Sequence, residues 1–522
     1  MSGDPFLSDP SKKRKRASKV TSTIRKSNKS SRDTTPAIEN DEEISSESET
    51  EAIEQEDGEN EELDSDEEFA TENAADKRRR LAKQYLDNLK ADEYDFDAKD
   101  MDDDIIGRRL QIDVAENQGH VYKFWGDKIS SQLDDEQVKA QTTRIGSKNV
   151  TALAVRYPNL YTVSKDTELI KWNVEKKKPQ RIRHTKGGMK YVKLHKAPHL
   201  NHHCDQINCV AVSSDGKYVV TGGSDCRLII WSSETLSCLK VLETRAAVNS
   251  ITFRRGSDQL YAACADLKIR TFSINQFAQL EVLYGHQDNI SDISALTRET
   301  CVSVGSRDKS AMFWKISEES RLTFRGGDST EKRKNKKNKK LDDNDDHDEQ
   351  NEDDFFYEGS IDVVSMIDES HFVTGSDNGN VSLWSLAKKK SLYGKRVAHG
   401  LEPKIESSLA SAETNINAAL AQIPKPQPYW ITTIHAVPFS DIFLTGSYNG
   451  EVKIWRLDDN LRSFACIGHI GNVNGCIVSI ESAEVDKRLV CYVLVSKEHK
   501  LGRWLGKIEG ARNALVQFAF DI

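Results

Sequence analysis

The 522-residue sequence has no uninterrupted run of about 18 apolar residues, the length a helix needs to cross a bilayer, and its first residues are polar and basic rather than apolar. Both features argue against a membrane-spanning or secreted chain. Cysteine is sparse: nine residues, at 204, 209, 226, 238, 264, 301, 466, 476 and 491, with no Cys-x-x-Cys pair and an odd total. Most fall in apolar strand patterns, as small buried thiols in a reducing compartment do. Common catalytic motifs are missing too. Gly216-Lys217, Gly394-Lys395 and Gly506-Lys507 are followed by Tyr, Arg and Ile, so there is no phosphate loop, and neither His-Glu-x-x-His nor Gly-x-Ser-x-Gly occurs. No enzymatic activity and no cofactor are expected. His199, His202, His203 and Cys204 are zinc ligands in type, but their spacing fits no common zinc module, and a polar loop with several histidines is the plainer reading.

Charge is present in abundance and unevenly placed. Residues 1–104 carry 17 Lys/Arg against 31 Asp/Glu, a balance of −14 within a total of −9, so residues 105–522 hold +5. An insert at 328–354 has 7 basic and 11 acidic residues, and without it the body is +9. The overall acidity thus hides a basic globular part, which bears on its partners.

Residues 1–76 are too polar to bury the surface that would offset ordering entropy, and are expected to be disordered. Within them Lys12, Lys13, Arg14, Lys15 and Arg16 form a compact cluster that resembles a nuclear import signal and would also serve as a loose nucleic-acid tether. Ser46, Ser48 and Ser65 each have an acid three residues on, which suits acid-directed phosphorylation, or a solvated acidic tail with no switch. Residues 77–130 read as a helical extension. Leu81, Tyr85 and Leu89 share a face, and Ile106, Leu110, Val114, Val121 and Trp125 fall near another, with Arg108, Arg109 and Lys123 off it. Such an extension docks on the body, carries basic groups to RNA, or does both.

From about Asn149 one unit recurs, most plainly at Gly285–Trp314: Gly-His, an apolar alternating strand, a charged turn, a strand V-S-V-G-S, a tight Arg307-Asp308-Lys309 turn and a strand ending in Trp. His286, a strand serine, Asp308 and Trp314 are expected to form a buried hydrogen-bonded set, structural rather than functional. Seven copies are counted by a third-strand aromatic, at Trp172, Trp231, Phe272, Trp314, Trp384, Trp455 and Trp504. The intervals 231 to 272 and 272 to 314 match the roughly 40–45 residues of a propeller blade, and the longer intervals hold insertions, among them 328–354 and the Ala- and Pro-bearing linker 400–428. The fold expected is all-β, a seven-bladed WD-repeat β-propeller over 145–522, preceded by the disordered tail and short helices. Its last strand, ALVQFAF, is expected to be the outer strand of blade seven and to close the ring.

The helical run GRRLQIDVAENQGHVYKFW, the segments SKDTELIKW, SSDGKYVVTGG, FRRGSDQLY and LYGHQDNISDISALTRETCVSVGSRD, then VAHG and the final EHKLGRW followed by ARN, together resemble the WD-repeat proteins specific to the U3 small nucleolar ribonucleoprotein, over roughly residues 77–513. The resemblance implies a non-catalytic RNA-binding scaffold of the nucleus and nucleolus. It would recognise the B/C region of U3 small nucleolar RNA with a small kink-turn-binding protein, and act with other small-subunit processome proteins in 18S rRNA maturation. No membrane and no self-association are expected. Phe272 and the 328–354 insert depart from the family's usual look. A WD-repeat protein scaffold without direct RNA binding is the other reading, because fold alone does not assign function.

Arg227, Arg245, Lys268, Arg307, Lys309 and Lys453 lie in turns expected to crowd one rim of the disc, with Arg254 and Arg255 on the opposite face. With Arg108, Arg109 and Lys123 of the extension, these are the candidate phosphate contacts.

Overall fold

The structure is a computed structural model that describes residues 122–134, 138–189, 201–326, 359–404, 425–502, 508 and 510–522, apart from 147–148, 177 and 472, with isolated positions between 405 and 424. The tail with its import-like cluster and serines, the extension up to residue 121 with Arg108 and Arg109, the insert 328–354, most of the linker and Trp504 lie outside the described residues. Among those described, no helix is long and apolar enough to cross a membrane.

Among the described residues, twenty-eight strands form seven four-stranded antiparallel sheets. Blades one to six each run inner to outer in sequence order, from Val150–Arg156 in blade one to Phe464–Ile470 in blade six. The second and third strands of each blade are buried along nearly their whole length, whereas the outer strands are mostly exposed. Sheet-on-sheet packing between neighbouring blades builds the core. One cluster joins Leu228, Ile230 and Val220 of blade two to Ile251, Phe253 and Leu260 of blade three, and equivalent clusters recur around the ring. Close approach is made possible by glycine in the second strand: a Cβ on Gly446 would lie 2.6 Å from Ile477 of the next blade.

Third-strand tryptophans fix five of the seven blades internally. Trp172, Trp231, Trp384 and Trp455 donate from Nε1 to Thr162, Thr221, Thr374 and Thr445, and Trp314 donates to Ser303, all at 2.8–2.9 Å. Blade three keeps neither half of this bond. Phe272 has no N–H, and Ala262, ten residues earlier, has no hydroxyl, so both partners are replaced by apolar groups and nothing polar is stranded. The Phe272 departure is thereby accounted for.

The expected set at blade four is present: His286 meets Asp308 at 2.9 Å and Ser303 at 2.7 Å, with Trp314 on the same serine. Burial alone would raise the Asp308 carboxyl, but the hydrogen bond and charge of His286 and the Ser310 N–H outweigh it and hold it below its ordinary value.

The closure differs from the expected one. Ala514–Asp521 is the third strand of blade seven, not the outer one, and lies against Arg488–Ser496; the outer strand is supplied from the other end by Gln141–Arg144, paired Gln141 to Gln517 through Arg144 to Ala514. The ring therefore begins at Gln141 rather than at 145, and blade seven's third strand comes after Trp504 rather than ending there. Phe518 and Phe520, both buried, supply that strand's aromatics. Pairing Gln141–Arg144 with the C-terminal strand in one sheet makes opening the ring cost four strand residues and covers the edge of the buried third strand.

Helix placement also differs. The described part of the expected helical run is extended: Lys123 makes a parallel bridge to Ser440, donating its N–H to Phe439 O at 2.8 Å. The helix comes later, at Gly126–Asp134, because the buried Asp441 carboxylate accepts the N–H groups of Trp125 and Gly126 at 2.8 and 3.0 Å and so caps its N-terminus from blade six. Trp125 and Ile129 pack into the core shared by blades six and seven.

Candidate nucleic-acid interface

Because strands alternate in direction, the turns from second to third strand and the links from each outer strand to the next blade emerge on one face. Arg227 and Lys268 begin third strands, Lys453 lies one residue into one, Arg307 and Lys309 occupy the blade-four turn, and Arg245 sits in the link between blades two and three. The structure thus brings all six to one face, while Arg254 and Arg255, between the inner and second strands of blade three, lie on the other.

The turns share one backbone plan. Thr167, Cys226, Leu267, Lys309, Gly379 and Gly450 all have positive φ and occupy the same place, just before or at the start of the third strand. In blades two, three and four an aspartate precedes that residue and folds back into the blade. Asp225 and Asp308 bond to His203 and His286, with side chains only 7% and 5% exposed, and Asp266 takes both guanidinium nitrogens of the buried Arg270, at 2.9 and 2.6 Å. Arg245, Arg307 and Lys309 are exposed. The acids of these turns are held inward and the bases project outward, so the face is more positive to a partner than its composition suggests.

The candidates are not equivalent. Lys453 donates to Ala398 O at 2.9 Å and is half-buried, and Arg227 lies 3.9 Å from the Cys204 sulfur. Lys268 stands 5.1 Å from the ring centre of Tyr284, which is 62% exposed. Tyr284, unnamed among the candidates, is the aromatic of this face best placed to stack on a base; its position ending an outer strand just before Gly-His was the available signal. On the opposite face Arg254 donates to Thr297 O and Gln259, which makes it a turn-fixing residue, while Arg255 is exposed at the channel. Lys123 pairs with Glu484 and lies 4.9 Å from the Trp125 ring, so its charge is already answered.

His203, grouped above with possible zinc ligands, is instead the blade-two counterpart of His286: it meets Asp225 at 3.0 Å and Thr221 at 2.8 Å. His202 packs edge-on against Trp231. Among the described residues no group of three or more His, Cys, Asp or Glu side chains is arranged to hold a metal.

A channel of about 970 Å³ runs between the seven inner strands. Each inner strand carries a bulge near its start, after the first residue in blades one to six and after the second, Ile477, in blade seven. Bulges re-aim the side chain they displace, and here Thr151, Asn208, Asn249, Ser291, Asp362 and Thr432 line the upper mouth, a cavity of about 150 Å³. Lower down, burial pushes the Glu481 carboxyl up to about 7 against the opposing charge of Arg255, and holds the His435 imidazole down to about 3.

Comparison with known proteins agrees with this architecture. The family model described as "WD domain, G-beta repeat" matches residues 195–232 and 277–315. Ribosomal RNA-processing protein 9 of Saccharomyces cerevisiae is 44% identical, covering 88% of this chain and 91% of its own length. U3 small nucleolar RNA-interacting protein 2 of Homo sapiens is 32% identical over 85% of this chain and 82% of its own. A solved structure described as "Structure of U3-55K" superposes with a TM-score of 0.58 at 30% identity, covering 73% of this chain and 98% of that one. With a propeller of seven blades and relatives similar across most of their length, the chain belongs to the WD-repeat family of ribosomal RNA-processing protein 9 and U3 small nucleolar RNA-interacting protein 2.

Proposed function

We infer that the protein is an RNA-binding subunit of the U3 small nucleolar ribonucleoprotein. It recognises the B/C region of U3 RNA together with a kink-turn-binding protein, and works in the small-subunit processome on 18S rRNA maturation in the nucleolus. The observation that carries this reading is the division of charge on the upper face: exposed Arg245, Arg307 and Lys309 beside turn aspartates that are hydrogen-bonded inward. Phosphate oxygens are held by such cations, which set the register of an RNA without reading its sequence. The names of the relatives supply the RNA and the pathway.

The test is affinity purification of the tagged full-length protein, with and without RNase, followed by sequencing of the bound RNA. Enrichment of U3 RNA, and loss of that enrichment in the Arg245→Ala, Arg307→Ala, Lys309→Ala triple variant, supports the reading. Association with processome proteins that withstands RNase, together with unchanged U3 recovery by the triple variant, would instead make the protein a protein-docking scaffold.

A further inference from the structure

We propose that the upper mouth of the propeller channel receives a single unpaired guanine of the bound RNA. The inference rests on the RNA-binding reading above and adds the place and chemistry of base recognition.

The mouth is built by the inner-strand bulges, and their donors are spent on the ring itself. Thr151 donates to Ile207 O at 2.6 Å, Asn208 to Val248 O at 2.9 Å, Asn249 to Ile290 O at 2.7 Å and Thr432 to Ile477 O at 2.5 Å. Asn249 also donates to Asn289 Oδ1 at 2.8 Å. Its own Oδ1 and the Asn289 amide nitrogen then have no protein partner among the described residues. Asp362 breaks the series: a carboxyl stands where blades one to four and six place a donor, and it accepts from Ser360 at 2.7 Å. In blade seven the equivalent position is Val478, and Lys500 enters the cavity from the loop above.

The charges exclude the simpler occupants. A lysine or arginine side chain of a protein partner would meet the Lys500 ammonium. A phosphate would meet Asp362 and, beneath it, the half-buried Asp292. A neutral planar group with donors and acceptors on one edge satisfies both. Guanine is the base whose pairing edge carries two adjacent N–H donors beside a carbonyl; the donors suit Asp362 and the Asn249 oxygen, and the carbonyl suits Lys500 and the Asn289 amide. A flat wall is present as well, since Trp430 lines the mouth with its indole stacked on His499 at 4.8 Å and 29°. The room of about 150 Å³ admits a base but leaves sugar and phosphate outside, toward the cations of the rim.

The test uses the full chain and nine-nucleotide uridine RNAs carrying one central guanine, inosine or adenine, with all-uridine RNA as reference, titrated by fluorescence anisotropy. Guanine is expected to bind about tenfold tighter than uridine, and inosine, which lacks the exocyclic amine, to lose most of that gain. Asn289→Ala and Lys500→Ala, both outside the core, should each erase the guanine preference, read as the ratio of guanine-RNA to all-uridine affinity for the same variant. Equal binding of guanine and uridine RNAs, or a preference retained in both variants, overturns the inference but leaves the RNA reading standing. Failure of every RNA to bind overturns the inference, while the RNA reading is decided separately by U3 recovery in the affinity purification. An RNase-resistant protein partner released by the same two substitutions overturns the inference in favour of a peptide at the mouth.

Discussion

Thr151 of blade one donates to the carbonyl of Ile207 in blade two at 2.6 Å, across a sequence gap of 56 residues. Asn208, Asn249 and Thr432 make the same contact with Val248, Ile290 and Ile477. The contact recurs because the inner strands bulge at one place, and in blades one, two, three and six the bulge frees a polar donor to reach a carbonyl at the start of the next inner strand. Blades otherwise held by apolar packing are thereby fixed in register, and the carbonyls at the mouth are satisfied.

Replacing Thr432 with Val keeps volume and removes the donor. The Ile477 carbonyl then loses a buried partner, which costs on the order of 1–2 kcal/mol. Thr151→Val should cost the same, and the double variant should show the sum within about 0.5 kcal/mol, because the two sites share no partner. Urea unfolding followed by tryptophan fluorescence measures all three.

A second prediction concerns the His–Asp links. His203 and Asp225 are 22 residues apart, as are His286 and Asp308. Asp308→Ala removes the acceptor that orients His286 and leaves a buried ring nitrogen unpaired, for a loss of about 1–3 kcal/mol. Asp225→Ala should match it. An Asp225→Ala variant as stable as the parent would show that His203 is not the structural counterpart of His286.

Elements with a regular apolar rhythm are legible in the sequence, and those set by distant partners are not. Blade four was legible because its strands alternate cleanly and end in Trp314. Gln141–Arg144 was not: four polar residues, alternately half-buried and exposed, carry no apolar rhythm, and only the pairing with Ala514–Asp521 makes them a strand. His203 was hidden by its histidine-rich neighbours, although its distance to Asp225 is the one signal that would have found it. The start of the helix at Gly126 is not legible because it is set by Asp441, more than 300 residues away, and no local pattern encodes that. The six cations of the upper face were placed correctly, since antiparallel connectivity alone decides which turns share a face. Bulge geometry, and with it the polar mouth, has no sequence period to read.

For the interface itself, the Arg245→Ala, Arg307→Ala, Lys309→Ala triple variant should lower U3 RNA affinity and reduce the slope of log affinity against log salt by about 2, since each lost phosphate contact removes roughly 0.7 for unpaired RNA. Lys123→Ala, whose ammonium already pairs with Glu484, should leave both unchanged. Electrophoretic mobility shift across a salt series distinguishes the two variants.

A pH prediction follows from Glu481, whose Oε2 lies 4.0 Å from His435 Nδ1. Burial raises this carboxyl from an ordinary 4.5 to about 7, so between those values the folded protein holds a proton that the unfolded chain has released. The stabilisation is complete below the unfolded value and is lost as pH rises through about 7. Glu481→Gln should therefore gain stability relative to the parent between about pH 5 and pH 7.5, with little difference at the acid end. The side chain is 37% exposed to the channel, so the effect will be smaller than full burial would give. Thermal unfolding of both proteins across that pH range is the measurement.

The last prediction concerns ring closure. Gln141–Arg144 contributes the outer strand of blade seven, and the segment before it is anchored by Asp441, which holds the helix N-terminus while Arg456 pairs with Asp127. Asp441→Ala would leave the Trp125 and Gly126 N–H groups without their acceptor in a buried setting, a cost of about 1–2 kcal/mol from the lost cap. Thr143→Pro acts on the strand directly, removing an N–H and crowding the edge of the sheet. If the two ends of the chain close the disc as one cooperative unit, both variants should lower the midpoint of a single unfolding transition. If the clasp instead frays on its own, amide exchange would quicken in 122–144 and 514–521 while the six other blades kept their protection. Hydrogen exchange on the Asp441→Ala variant decides between these, and the first outcome is expected, because Trp125 and Ile129 are buried in the same cluster as Val493 and Phe518 of blade seven and cannot leave without exposing it.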